Sequence, residues 1–350
     1  MRCVKLQEFF LSAKISLMIA NPNFIPAKRN FWRGRVDEPI SPLTTRWHQI
    51  VTFPPNHDLR AFTDKEQRGF AFVGFASDTG IVRNLGRAGS KQGPEVLRQA
   101  LSNLPVHSSS LRLLDCGDVV CLGDNLEEAQ KNLGDVVAKI LAAGLTPIVL
   151  GGGHEVAFGH YLGLKQELKK FKNKKPRLGI INFDAHFDMR PISNGSTSGT
   201  PFLQIAEDMQ ASGLPFSYLC LGIQKSTNTA QLFETAKKWR ANFILAEDVH
   251  LANFKKLSAT LKSFLSRHDK IYLTFCLDVL AAPFAPGVSS PSPAGILPDV
   301  ALALVKLIAE SGKILNFDVA ELSPPFDQDG RTAKMAAKVV FEVVEGILGK

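Results

Sequence analysis

The stretch "RLGIINFDAHFDMR", residues 177–190, holds an apolar run from Leu178 to Phe183, broken only by Asn182, and then sets Asp184, His186 and Asp188 at every second position. A short apolar run bounded by polar residues fits a strand buried on both faces, as in a parallel sheet covered by helices. An extended chain alternates its faces, so the three polar side chains share one side if strand geometry continues past Phe183. Carboxylate with imidazole suits a borderline divalent ion such as manganese or zinc, whereas calcium and magnesium sites are built mostly of oxygen. A lone Asp or His at a strand end is otherwise a cap or a loop hydrogen bond, so a metal site needs further ligands from elsewhere.

Similar runs recur from about residue 70: "FAFVGF" (70–75), "TPIVLGGG" (146–153), "SYLCLGI" (217–223), "NFILAED" (242–248), "KIYLTFCLD" (270–278) and "KILNFDVAEL" (313–322). Helical patterns lie between them. In "NLEEAQKNLGDVVAKILAAG" (125–144), Leu126, Ala129, Leu133, Val136, Val137, Ile140 and Leu141 recur at helical spacing, and Gly144 stands where a C-terminal cap would. "LPDVALALVKLIAESG" (297–312) has Pro298 near its start and Gly312 near its end. Alternating strands and helices predict an α/β fold, three layers in α/β/α order around a mainly parallel sheet. No repeat or Gly/Ser-rich linker divides the chain. We therefore expect one catalytic domain over 61–350, preceded by a less regular N-terminal arm at 1–60.

Composition excludes several classes. The 350 residues are 45% hydrophobic and mean hydropathy is near zero, which allows a large core. "LSAKISLMIA" (11–20) is too short to span a bilayer and is broken by Lys14. The five cysteines, Cys3, Cys116, Cys121, Cys220 and Cys276, show no CxxC spacing, which fits a reducing cytoplasm rather than a secreted disulfide framework. The formal charge of +8 is concentrated in "LKKFKNKKPR" (168–177) and the first thirty or so residues. With no aromatic interleaving and no nucleic-acid motif, the lysine run reads as a solvated helix end, and neither a nucleic-acid nor a membrane partner is expected. Arg2, Lys5, Lys14, Lys28 and Arg29 against Glu8 resemble a targeting composition without a convincing apolar region; translation from Met18, or a disordered segment over 1–30, is the alternative.

Ligands of open α/β sheets gather at the C-terminal strand ends. Those ends carry His154 and Glu155 after "IVLGGG", then Asp184, His186 and Asp188, Asp278 within "TFCLDVL", and Glu321 after "NFDVA". Gly151–Gly153 allow a sharp turn that aims His154 back over the sheet edge. They lack the spacing of a phosphate-binding loop.

"GGGHE", "DAHFD", "CLDVLAAPFAPGVSSP" and "ELSPPFD", in that order, resemble the four signature blocks of the ureohydrolase (arginase/agmatinase) family, and the likeness runs from about Asn84 through "GRAGSKQGPEVLR" (86–98) to "DQDGRTAKMAA" (327–337). The resemblance implies an arginase-like fold, a homo-oligomer and two manganese ions per subunit. It also implies a metal-bound hydroxide that attacks an amidine or guanidine carbon. His154 and Asp188 are then expected to bind one metal, His186 and Asp278 the other, and Asp184 both. Asp188 is expected to orient the nucleophile and Glu321 to hold the cationic head of the substrate. The family's second bridging Asp is replaced by Cys276. A thiolate there bridges both ions with altered geometry, leaves one metal or leaves none; the bland alternative is a small thiol packed in a core strand.

Arg190 stands where arginases carry an Asn, and Ser198, in "TSGTPF" (197–202), where they carry a proton-shuttling His. With Gly199, Thr200 and "LGIQKSTNT" (221–229), these departures resemble formimidoylglutamase, which implies hydrolysis of N-formimidoyl-L-glutamate to L-glutamate and formamide in histidine degradation. Arg190 suits a substrate carboxylate; alternatively it pairs with a neighbouring acid, and Ser198 caps a turn. The competing functions are another linear amidine or guanidine hydrolase, such as a guanidinobutyrase, agmatinase or arginase, and a metal-poor pseudoenzyme.

Overall fold

A computed structural model of the chain describes residues 23–54, 59, 69–170, 176–193 and 195–349. The expectations about residues 1–22, including the start at Met18, and about the middle of the lysine run, 171–175, lie outside the described residues.

Nine strands form one sheet: β1 (Phe24–Ile25), β2 (Gly69–Ala76), β3 (Arg112–Val120), β4 (Thr146–Leu150), β5 (Leu178–Phe183), β6 (Tyr218–Ile223), β7 (Asn242–Leu245), β8 (Lys270–Cys276) and β9 (Ile314–Ala320). Their order is β1-β3-β2-β4-β9-β8-β5-β6-β7. Only β1 runs antiparallel, against β3. Eight described helices of nine or more residues accompany them: α1 (Gly93–Ser102), α2 (Leu126–Ala142), α3 (Val156–Leu168), α4 (Pro201–Ala211), α5 (Ala230–Lys238), α6 (Phe254–Ser266), α7 (Pro298–Ala309) and α8 (Arg331–Leu348).

Alternating residues of each strand feed two cores. Phe70, Phe72, Ile148, Ile181 and Phe183 pack with Leu101 of α1, Phe264 of α6, Leu304 of α7 and Val340 of α8. Val73, Phe75, Val149 and Ile180 pack on the opposite face with Leu133 of α2, Leu164 of α3, Ile205 of α4 and Leu232 of α5. This is the three-layer α/β/α arrangement expected. The two helices read from periodicity also form, with Asn125 accepting from Glu128 N–H at the start of α2 and Gly144 at φ +77° beyond its end.

Two features go beyond the expectations. Residues 23–54 form only short elements, and Trp32, Trp47 and Val51 among them are buried in the main core. Strand β3 was not among the runs read as strands, because Asp115 and Asp118 interrupt it. Both are buried and answered by Arg98 of α1, whose Nε and Nη2 reach Asp115 at 2.8 and 2.9 Å and whose Nη1 reaches Asp118 at 2.6 Å.

Strand order sets the site. After β4 the chain passes through α3 and enters the sheet again at β5, three positions away beyond β9 and β8. A direction change of this kind opens a crevice at the C-terminal edge. The register aligns Leu150 with Val319, Cys276 with Ala320 and Phe275 with Phe183, so the ends of β4, β9, β8 and β5 stand side by side.

Candidate metal centre

His154 follows β4 through the triple-glycine turn. A Cβ on Gly152 would lie 1.8 Å from the Ser77 carbonyl oxygen, so this close passage needs glycine. Glu321 leaves β9 at φ +74° and Asp188 sits at φ +47°, a region that costs non-glycine residues free energy. The strand therefore does not continue past Phe183 as expected; β5 ends there and the following segment is irregular. Asp184, His186 and Asp188 nevertheless converge, through a bend at Ala185 and His186 and a left-handed Asp188 rather than through strand alternation.

His154 Nδ1 lies 2.8 Å from Asp184 Oδ2 and 2.9 Å from Asp188 Oδ2. His186 Nδ1 lies 3.1 Å from Asp278 Oδ2 and 3.5 Å from Asp184 Oδ1. Ligand atoms of His154, Asp184 and Cys276 fall within 4.8 Å of one another, as do those of Asp184, His186 and Asp278. Asp184 belongs to both groups. Cys276 is thus turned into the site, not away into the core.

The residues fit a divalent ion pair. The Thr274 hydroxyl donates to Asp318 Oδ1 at 2.6 Å, so at 3.0 Å its oxygen is an acceptor for His154 Nε2–H. That tautomer leaves Nδ1 as a bare lone pair, and it has no hydrogen-bond partner although two carboxylate oxygens stand at ion-pair distance. Asp278 Oδ1 is likewise buried and unpartnered. Acceptors facing one another in a dry site call for a cation among them.

With no cation among them the same carboxylates draw a proton to His154 instead, one that a bound ion would displace. Burial opposes charge on His154, but Asp184 and Asp188 outweigh it and raise the imidazole well above the usual histidine range. Burial and the Asp184 charge push Asp188 up to about 6. Burial works against the Asp184 anion too, yet His154 and His186 hold it below the usual carboxylate range. Burial, then the Asp184 and Asp278 charges, push the Cys276 thiol well up. A bound dication reverses that logic for a thiol ligand.

Above these groups opens a cavity of about 300 Å³ lined by His154, His186, Asp188, Cys276, Asp278 and Glu321 at its floor. Asn84, Leu85, Gly86, Arg87, Arg190, Ser198, Leu232, Ser289 and Ser290 form its walls. Glu321 Oε1 accepts from His154 N–H at 3.1 Å, while Oε2 is buried without a partner. Burial, with Asp278 and Glu155 nearby, pushes its carboxyl well up. Arg190 is exposed and, among the described residues, pairs with no acid, so the surface-pair alternative is not observed. Ser198 accepts from Asn84 Nδ2 at 3.1 Å. Gly199 and Thr200 stand behind the wall: the Gly199 carbonyl accepts from Arg190 N–H, and the Thr200 hydroxyl serves Thr197 and Gln204. Glu155 turns to Gly80 N–H instead of the cavity.

A profile of the arginase family matches residues 68–345. The chain belongs to the arginase family. Relatives within it include formimidoylglutamase of Clostridium tetani, 44% identical over 330 residues, with 93% of this chain and 96% of that protein covered. Formimidoylglutamase of Geobacillus thermodenitrificans is 40% identical over 320 residues, covering 91% and 96%. A crystal structure of Trypanosoma cruzi formiminoglutamase with Mn2+ superposes with a TM-score of 0.69 at 29% identity, over 81% of this chain and 95% of that one. Among arginase-family structures, the arginase of Bacillus subtilis shares the fold at 22% identity. Sequence reasoning left Asn84, Arg87 and Leu232 without roles in this arginase-family cavity. Asn84 and Arg87 were visible only as part of the resembling segment that begins at Asn84, and Leu232 carries the ordinary periodicity of a core helix.

Proposed function

We propose that this arginase-family chain is a manganese-dependent hydrolase that converts N-formimidoyl-L-glutamate to L-glutamate and formamide. The observation that carries the reading is the pairing of opposites across one cavity. The unpartnered Glu321 Oε2 lies at its floor, and the guanidinium of Arg190, with no acidic partner among the described residues, lies on its wall. An amidine with a carboxylate tail presents charges in the complementary order. Agmatine, whose far end is a cation, would meet Arg190 with like charge.

His154, Asp188 and Asp184 would hold one manganese, and His186, Asp278 and Asp184 the other, with Cys276 at the remaining shared position. When bound, the ions supply Lewis-acid activation of water and of the amidine. Glu321 accepts hydrogen bonds from the amidine N–H groups and so fixes its carbon over the floor. Asp188, whose Oδ2 faces His154 and which lines the cavity, would orient the attacking water. Arg190 donates in parallel to a substrate carboxylate.

Residues 61–350 are proposed as one catalytic domain, onto which the preceding described segment packs. A homo-oligomer in the cytoplasm completes the reading. The family resemblance and the exposure of Leu43 at 95% and Ile40 at 71% support the oligomer; free Cys116, Cys121, Cys220 and Cys276 support the compartment. No described helix is long and apolar enough to cross a membrane.

The test is formamide release from N-formimidoyl-L-glutamate before and after manganese loading, with arginine, agmatine and guanidinobutyrate in parallel. Turnover confined to formimidoylglutamate and to loaded protein is expected. Silence on every substrate with metal bound would sink the reading in favour of the pseudoenzyme.

A further inference from the structure

The proposed substrate carries two carboxylates, and Arg190 can take one. A second carboxylate gains from the cavity only where a donor already stands ready for it, because both wall arginines, Arg87 and Arg190, lie at solvent-exposed positions. Apart from histidine, the cavity lining contains two cations, Arg190 and Arg87.

Arg87 is held in place from three directions. Its Nε donates to the Ser289 carbonyl at 2.9 Å and its Nη2 to the Val288 carbonyl at 2.7 Å. Its guanidinium carbon lies 3.9 Å from the centroid of the Phe326 ring. Its backbone N–H donates to Ser289 Oγ at 2.9 Å, and the neighbouring Gly86 has no room for a Cβ, which would stand 2.6 Å from that hydroxyl oxygen. Its hydrogen bonds leave Nη1 unused, and among the described residues no acid pairs with it.

A guanidinium fixed by carbonyls and an aromatic face, with donors left over and no anion, is preorganised for an anion that arrives from outside. The bonds to the Ser289 and Val288 carbonyls tie this segment to the chain after β8 and leave the positive charge itself unneutralised. Arg190 follows β5 on one wall. Arg87 belongs to the segment tied to the chain after β8, on another.

We propose that Arg87 is the second carboxylate anchor, so that the cavity selects linear amidines with two carboxylates, one for each arginine. The proposal rests on the formimidoylglutamate reading and adds a specificity-determining residue to it. Arg87 touches no reacting atom, so its loss falls on KM more than on kcat.

The experiment is steady-state kinetics of the manganese-loaded wild-type protein and Arg87→Met on three substrates: N-formimidoyl-L-glutamate, N-formimidoyl-4-aminobutyrate, which lacks the α-carboxylate, and N-formimidoyl-L-norvaline, which lacks the γ-carboxylate. Loss of a charge-assisted pair should raise KM on the dicarboxylate by about tenfold to a hundredfold. On one of the two monocarboxylates the effect should vanish, because the group Arg87 holds is already missing. A KM unchanged on the dicarboxylate, or raised equally on all three substrates as a merely structural role predicts, overturns the proposal. Arg87→Lys should fall between wild type and Arg87→Met. If Arg87→Met does not fold, Phe326→Leu, which frees the guanidinium from its ring, should show the same substrate-selective pattern in smaller measure. If the wild-type protein itself turns over none of the three, the proposed function fails; turnover by wild type with an indifferent Arg87→Met defeats this inference alone.

Discussion

Thr274 places its hydroxyl 2.6 Å from Asp318 Oδ1 and commits its proton there, beneath the sheet edge and fully buried. Asp318 Oδ2 is in turn held by the Tyr272 hydroxyl at 2.6 Å and stands 2.7 Å from His160 Nδ1. The consequence reaches the site through one atom: the Thr274 oxygen can only accept from His154, which turns the other imidazole nitrogen outward as a ligand.

Thr274→Val keeps the volume and removes the acceptor. Manganese affinity of the metal-depleted protein, read by the free Mn2+ signal in electron paramagnetic resonance, should fall by about tenfold to a hundredfold. Thr274→Ser should restore it. Equal affinity in Thr274→Val and wild type would show that the tautomer is set elsewhere.

Glu321→Gln removes the negative charge proposed to meet the amidine but preserves size and the bond to His154 N–H. We expect kcat/KM to drop by on the order of a hundredfold, or about 2.7 kcal/mol of transition-state stabilisation. Metal affinity should stay at the wild-type level. A parallel fall in manganese binding would reassign Glu321 to the metal.

Cys276→Asp returns a carboxylate with two hard oxygens to the shared position and should tighten manganese binding, while Cys276→Ser should loosen it. With cobalt as a probe, wild type should show thiolate-to-metal charge-transfer absorption that both variants lack. Identical spectra in all three would return Cys276 to the status of a packed core thiol.

Arg98→Met leaves Asp115 and Asp118 buried without their cation. Removing one partner of such a group costs roughly 3–5 kcal/mol, so the urea midpoint should move down with little change in slope. An unshifted midpoint would mean that water reaches the two acids.

The strands that carry the site were legible because a sheet covered on both faces demands apolar runs, and β4, β5, β8 and β9 supply them. Their polar ends then stood out against that background. β3 was hidden for the same reason in reverse, since Asp115 and Asp118 break the pattern and their compensating charge, Arg98, lies in another element. No local rule connects residues that meet only after folding. The irregular segment bearing Trp32 and Trp47 offered no periodicity, although Trp32 Nε1 reaches Asp115 at 2.7 Å. Asp184, His186 and Asp188 were singled out through an alternation that the backbone does not keep, because β5 ends at Phe183 and the chain bends at Ala185 and His186 before Asp188 turns left-handed. Arg87 escaped for a further reason: its value lies in what holds it, Val288, Ser289 and Phe326, more than two hundred residues downstream.

The left-handed backbone at Glu321 sets heat tolerance against turnover at a single codon. Glycine there would relieve about 1–2 kcal/mol of backbone cost, so a library screened only for survival after heating should enrich Glu321→Gly, and the survivors should be sturdier and silent. Screening on formamide release after the heat step would keep the glutamate and push improvements to positions away from the sheet edge.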